Sequence, residues 1–113
     1  MPLKSGRAIA SAYGAGAMLA ASCLWSQPAA AQSAQRGVVI ARTYCANCHS
    51  IDKVSPSALK DAPPFRDLHK RYPVESLQES LAEGIVTGHP SMPEFRFEID
   101  QVGDFIAFLK SLR

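Results

Sequence analysis

The sequence is short of the residues that staple a small protein. It has three cysteines in 113 residues, and Cys23 falls in a segment that reads as a removable leader. The other two, Cys45 and Cys48, are too close in the chain to close a useful loop as a disulfide. No second C-x-x-C follows, and His69 and His89 stand twenty residues apart, without zinc-finger spacing. A four-ligand structural zinc site therefore lacks its donors. No polybasic tract follows Lys4 and Arg7, which argues against a nucleic acid or an anionic membrane surface as partner. There is no internal repeat, no convincing strand and no βαβ pattern, so a thioredoxin-like use of the two thiols has no frame.

What is present begins with the leader. Lys4 and Arg7 form a basic head, Ala8 to Trp25 is apolar, and "SQPAAAQ" closes the segment with small residues. This is the pattern of a secretory signal, with cleavage expected after Ala31. The apolar run is rich in Ala and Gly and contains Ser11, Tyr13 and Ser22, which makes it a poor membrane span. A lipid anchor at Cys23 would call for a leucine where Ala20 stands. The expected organisation is a signal over 1–31 and one exported, periplasmic domain over 32–113.

Removing residues 1–31 from 113 leaves 82, with ten basic residues balancing ten acidic ones. The hydrophobic content of 47% argues against disorder. Even so, 82 residues make a thin core, and domains of this size often need a staple. A large apolar cofactor would supply it.

The elements read as helices and loops. Gly37, Ile40, Ala41 and Tyr44 share one face of a helix over Ala34–Tyr44. Residues 50–64, broken by Pro56, Pro63 and Pro64, read as an irregular loop. A short helical turn is expected over Phe65–Tyr72. Pro73 suits the first position of a further helix, with Val74, Leu77 and Leu81 inward, Glu75 and Glu79 outward, and Gly84 as the stop. "VTGHPSMPEFRF" reads as extended. A last helix over Glu98–Leu112 has a broad apolar face from Val102, Phe105, Ile106, Phe108, Leu109 and Leu112. Its terminal charges, Glu98, Asp100, Lys110 and Arg113, read as a solvated surface.

"CANCH", Cys45 to His49, is the most specific feature. C-x-x-C-H is the attachment pattern of c-type haem. Two thiols at this spacing form thioethers with the two vinyl groups of one ring, and the histidine that follows is held beneath the iron. The remaining axial position needs a donor. Once the leader is removed, Met92 is the only methionine, in a loop framed by Pro90 and Pro93. Packing methionines usually lie at helical spacing among apolar residues, whereas Met92 does not. The axial pair is read as His49 and Met92, with His89 the rival for Met92. Such ligation raises the potential and suits electron transfer.

These residues together resemble a small class I cytochrome c over nearly all of 32–113. Gly37, eight residues before Cys45, matches the glycine that lets an aromatic of the closing helix cross the first helix closely. "DFIAFLK", Asp104 to Lys110, is similar to that closing helix, and "SMPEF" to the methionine loop. "APPFRDL" resembles the family's G-P-x-L-x-x-L loop, with Ala62 in place of the glycine, and Ala41 stands where an aromatic often packs. The resemblance implies an all-α fold, three to four helices around one covalently bound haem c. It also implies that the Pro63 carbonyl accepts a hydrogen bond from His49.

The function expected is one-electron transfer without a substrate site, so not an enzyme. Partners would be redox proteins: a periplasmic dehydrogenase as donor, an oxidase or another cytochrome as acceptor. The protein would act as a monomer or in transient complexes. The alternatives are a dedicated electron-accepting subunit of a dehydrogenase and, with an open iron site, a haem enzyme or sensor. Candidate pocket residues are Phe65, Leu68, Leu77, Leu81, Ile85, Phe95, Phe105 and Leu109. Docking is expected around Ala46, Asn47, Ser91 and Pro93, with Arg66, Lys70 and Arg71 the densest local group of positive charge.

Overall fold

Ser33 starts the first helix. Its hydroxyl accepts a hydrogen bond from the Arg36 N–H at 3.3 Å, satisfying one of the free donors at a helix N-terminus. Helix α1 then runs over Ala34–Tyr44, the bounds predicted from the apolar spacing. The computed structural model describes residues 9–11, 14, 31–85 and 91–113. Most of the leader, and residues 86–90 with His89 and Pro90, lie outside the described residues.

After α1 the chain makes a tight turn through the C-x-x-C-H motif and a long irregular loop. It re-enters regular structure as a 3₁₀ turn over Phe65–Lys70. A second 3₁₀ turn, Val74–Ser76, runs into α2, Leu77–Glu83. Helix α3 covers Ile99–Ser111. No strand occurs among the described residues.

Pro73 does not open a helix. Its ring sets φ at −61°, but ψ is extended at 127°, so the chain turns through Val74–Ser76 before α2 begins. The inward positions survive that shift: Val74 and Leu81 are buried, and Leu77 packs on the core. Gly84 ends α2 as expected, with φ at +116°, a region that side chains resist. The extended stretch that follows is sewn onto the end of α2. Phe97 N–H donates to Leu81 O at 2.8 Å, Ile85 N–H to Phe95 O at 3.2 Å, and Arg96 Nε to Glu83 O at 2.9 Å. Two of the carbonyls left open near the helix end, Leu81 and Glu83, are thereby satisfied.

The main pairing is α1 against α3. Gly37 makes it possible. A Cβ placed there would meet the carbonyl oxygen of Asp104 and lie 2.6 Å from the Cβ of Phe108. The close approach expected at Gly37 is therefore present, and Phe108 is the aromatic that uses it. Ile40 and Ala41 bury on the same face; Ala41 is fully covered.

The charges on α3 divide into two groups. Lys110 and Arg113 reach Glu75 at 3.0 and 3.3 Å, tying α3 to the Val74–Ser76 turn through exposed pairs worth little each. Asp104 is different, being only 6% exposed. It accepts from Arg36 Nε at 2.6 Å, Arg36 Nη2 at 2.8 Å and the Ser33 N–H at 2.7 Å. One carboxylate thus fastens the start of α1 to the middle of α3. These bonds, led by those from Arg36, hold its carboxyl below the usual carboxylate range although burial works against them.

Candidate functional site

Helix α1 delivers the motif. Its hydrogen-bond ladder continues beyond Tyr44, with Cys45 N–H donating to Ala41 O at 2.9 Å. Cys45 O then accepts from Cys48 N–H at 3.1 Å and from His49 N–H at 2.9 Å. Two cysteines and a histidine are thereby held on one turn at the end of a packed helix.

Both thiols are free and half-buried. Burial, and secondarily the neighbouring Cys48, pushes the Cys45 thiol up to about 11. Thiol–disulfide exchange needs the opposite, a lowered pKa that favours the thiolate. At Cys45 the environment therefore works against a redox use. Among the described residues no group of three or more His, Cys, Asp or Glu could hold a bare metal ion. Iron carried in its own ring asks the protein for axial donors alone, and that suits this set.

His49 is oriented for such a role. Its Nδ1 lies 2.7 Å from the carbonyl oxygen of Pro63. A carbonyl can only accept, so Nδ1 carries a proton, and Nε2 is the ring nitrogen left for a metal. This is how a metal-binding histidine is commonly fixed in tautomer and angle. The ring also packs on Phe65, 4.8 Å between centroids. The hydrogen bond from His49 to Pro63 implied by the resemblance is thus present in the structure.

Apolar side chains gather around this turn. Phe65, Leu68, Leu81, Phe105 and Leu109 belong to one buried cluster, and Leu77, Ile85, Phe95 and Cys45 pack against it. All eight of the expected pocket residues are included. The residue types fit a haem: two thiols, an oriented imidazole and a dry apolar wall.

Met92 is half-buried, between exposed Ser91 and Pro93, at the head of the stretch that α2 anchors. Of the other histidines, His69 is exposed, and His89 lies outside the described residues. The structure brings Cys45, Cys48, His49 and Pro63 together.

Two features of the site escaped sequence reasoning. Phe97 is buried, lies parallel to Phe95 at 6.0 Å, and meets Tyr44 edge-on at 5.4 Å. Tyr44 also meets Phe95 at 5.9 Å, so the residue before Cys45 touches the stretch that follows Met92. The alternation in "EFRF" was the available signal. The second is Arg66, one of the three cations nearest to forming a basic patch. It is turned onto the loop after the motif, where it donates to Ser50 Oγ, Asp52 O and Ser55 O. Lys70 pairs with Asp67 at 2.7 Å. Two of the three cations in that local group therefore have partners within the fold.

No protein-family model matches the chain. Among curated proteins it is similar to cytochrome c-552 of Bradyrhizobium diazoefficiens, 34% identical over 88 residues, spanning 78% of this chain and 83% of that protein. With the helical architecture, this likeness over most of both chains supplies the conclusion: the chain belongs to the small c-type cytochromes, all-α haem proteins that carry electrons and hold haem c covalently.

Proposed function

We propose that the protein is a periplasmic one-electron carrier with His49 and Met92 as the axial ligands of a haem attached through Cys45 and Cys48. The observation that carries this reading is the 2.7 Å bond between His49 Nδ1 and Pro63 O, beside the two thiols on one turn. Bound haem c supplies a one-electron couple between ferrous and ferric iron. Thioethers from Cys45 and Cys48 hold the ring, and His49 presents Nε2 to it. Pro63 keeps the imidazole at a fixed angle and raises its basicity. A thioether sulfur from Met92 would raise the potential. Phe65, Phe105 and their neighbours keep water from the buried side, leaving electron exchange to an exposed edge.

The basic head, apolar run and small residues before Gln32 support export with removal of 1–31, and so a mature domain over 32–113. Among the described residues no helix is long and apolar enough to cross a membrane. Partners are redox proteins, a dehydrogenase as donor and an oxidase or another cytochrome as acceptor. They would dock transiently near Ala46, Asn47, Ser91 and Pro93.

The test is the axial position. Ferric wild type should resist cyanide, and Met92→Ala should bind it readily and show a lower potential. Ready cyanide binding by wild type would overturn the carrier reading in favour of an open-site haem protein.

A further inference from the structure

The connection from Ser50 to Pro64 runs fifteen residues without regular structure. A loop of that length inside a small domain is mobile unless it is tied down. This one begins directly after His49 and ends directly after Pro63, so its slack would pass straight into the bond between them.

Its ties converge on Ser50 and Arg66. Ser50, 6% exposed, uses every polar atom it has. Its N–H donates to Ser57 Oγ at 3.0 Å, its carbonyl accepts from Phe65 N–H at 3.0 Å, and its hydroxyl accepts from Arg66 Nη1 at 3.2 Å. The same Nη1 reaches Asp52 O at 3.3 Å and Ser55 O at 2.7 Å. Asp52 shapes the loop for this. Its Oδ1 accepts from Ser55 N–H at 2.6 Å and Val54 N–H at 2.8 Å, a tight turn that aims both carbonyls at the guanidinium. Those bonds, Ser55 first, pull the Asp52 carboxyl down to about 2, so the turn stays ionised and closed.

We propose that Arg66 is a positioning residue for His49. The chain and its hydrogen bonds form a closed ring: His49 to Ser50 by a peptide bond, Ser50 to Arg66 by the hydroxyl, Arg66 back through Phe65 and Pro64 to Pro63, and Pro63 O to His49 Nδ1. Arg66 is the only long side chain in that ring, and it also holds the far wall of the loop. Breaking it leaves the Phe65 N–H to Ser50 O bond as the remaining direct tie between the two ends of the loop, so the Pro63 carbonyl and the imidazole are held less firmly, which changes the basicity of Nε2 and with it the potential of the iron. Lysine keeps the charge, but its nitrogen ends one bond short of the place of Nη1, the single atom from which all three bonds are made.

The inference rests on His49 as an axial ligand, and its test uses haem-loaded, reduced protein. The variants are Arg66→Gln, Arg66→Lys and, as the milder cut in the same ring, Ser50→Ala. Nuclear magnetic resonance follows exchange of the His49 Nδ1–H with solvent, and a redox titration follows the potential. In both Arg66 variants the Nδ1–H should exchange about tenfold faster, the loss of roughly one charge-assisted hydrogen bond. The amides of α1 and α3 should keep their rates, and the potential should shift even in Arg66→Lys. Ser50→Ala should change both readouts in the same direction, by less. Lower melting temperatures with unchanged Nδ1–H exchange and potential would reduce Arg66 to a loop staple. A potential that moves in Arg66→Gln but not in Arg66→Lys would mean that Arg66 acts as a bare charge. Ring-current shifts identify His49 as ligand in wild type alone, so failure of the axial reading appears there, and failure of the clasp appears only in the variants.

Discussion

Replacing Gly37 by alanine sets two effects of opposite sign against each other. In an ordinary helix the exchange stabilises by about 0.5–1 kcal/mol, because glycine has more backbone freedom to lose. Here a Cβ would lie 2.6 Å from the Phe108 Cβ, whereas carbons in contact sit about 3.5–4.0 Å apart. The nearest obstacles are the α3 backbone at Asp104 and the first carbon of Phe108, neither of which can swing aside. The helices must part, and overpacking of this kind costs about 1–3 kcal/mol. The net loss is about 0–2.5 kcal/mol, and a domain of this size moves in melting temperature by about 4–8 °C per kcal/mol. Gly37→Ala should therefore melt below wild type, by as much as about 20 °C, read by far-ultraviolet circular dichroism on the haem-loaded protein. Gly103→Ala is the matched control. The nearest atoms a Cβ there would meet belong to the side chain of exposed Gln32, 2.9 Å to Nε2, and that chain can move. Gly103→Ala should melt at or slightly above wild type. If Gly37→Ala also melts at or above wild type, the tight crossing of α1 and α3 is not the constraint argued here.

Asp104→Asn tests the second fastening of that crossing. Because its folded pKa is depressed, Asp104 contributes stability that is complete above its unfolded value of about 4 and is lost as pH falls through the folded value. The variant should melt below wild type at neutral pH, with the gap closing in acid; a gap that persists unchanged into strong acid would refute the linkage. The intact mass of the exported protein should equal residues 32–113 plus one haem, and a lipid-bearing mass that retains Cys23 would overturn the removal of residues 1–31. Since the chain over 32–113 has balanced charge and both Arg66 and Lys70 are engaged internally, stopped-flow electron transfer with the native partner should slow less than about tenfold from low to physiological salt. A steep salt dependence would show that docking runs through charge after all.

The legible parts of this protein are those whose cause is local. Helix α1 appears with its predicted bounds, because Gly37, Ile40 and Ala41 repeat at helical spacing and Ser33 caps them. Gly84 stops α2 by a backbone preference carried by one residue. The motif and the histidine's hydrogen bond followed from chemistry and family likeness. What was missed depends on partners far away in sequence. Nothing near Asp104 in the sequence marks it as a buried fastening, because its partner Arg36 lies 68 residues earlier. Arg66 looked like part of a surface patch because its acceptors are mainly backbone carbonyls, which every residue has. Pro73 was misplaced because proline fixes φ but leaves ψ to the turn that follows.

The pairing of α1 with α3 has a consequence for the order in which the protein assembles. The first helix has its main partner across a separation of 68 to 71 residues. Contacts of that range form late, because the chain must lose the entropy of a long closure before they reward it. Until α3 has been made and has docked on Gly37, Cys45, Cys48 and His49 hang from a helix too short to persist alone. The thiols of Cys45 and Cys48 are therefore more accessible in the unfolded chain than in the folded domain, where both are half-buried.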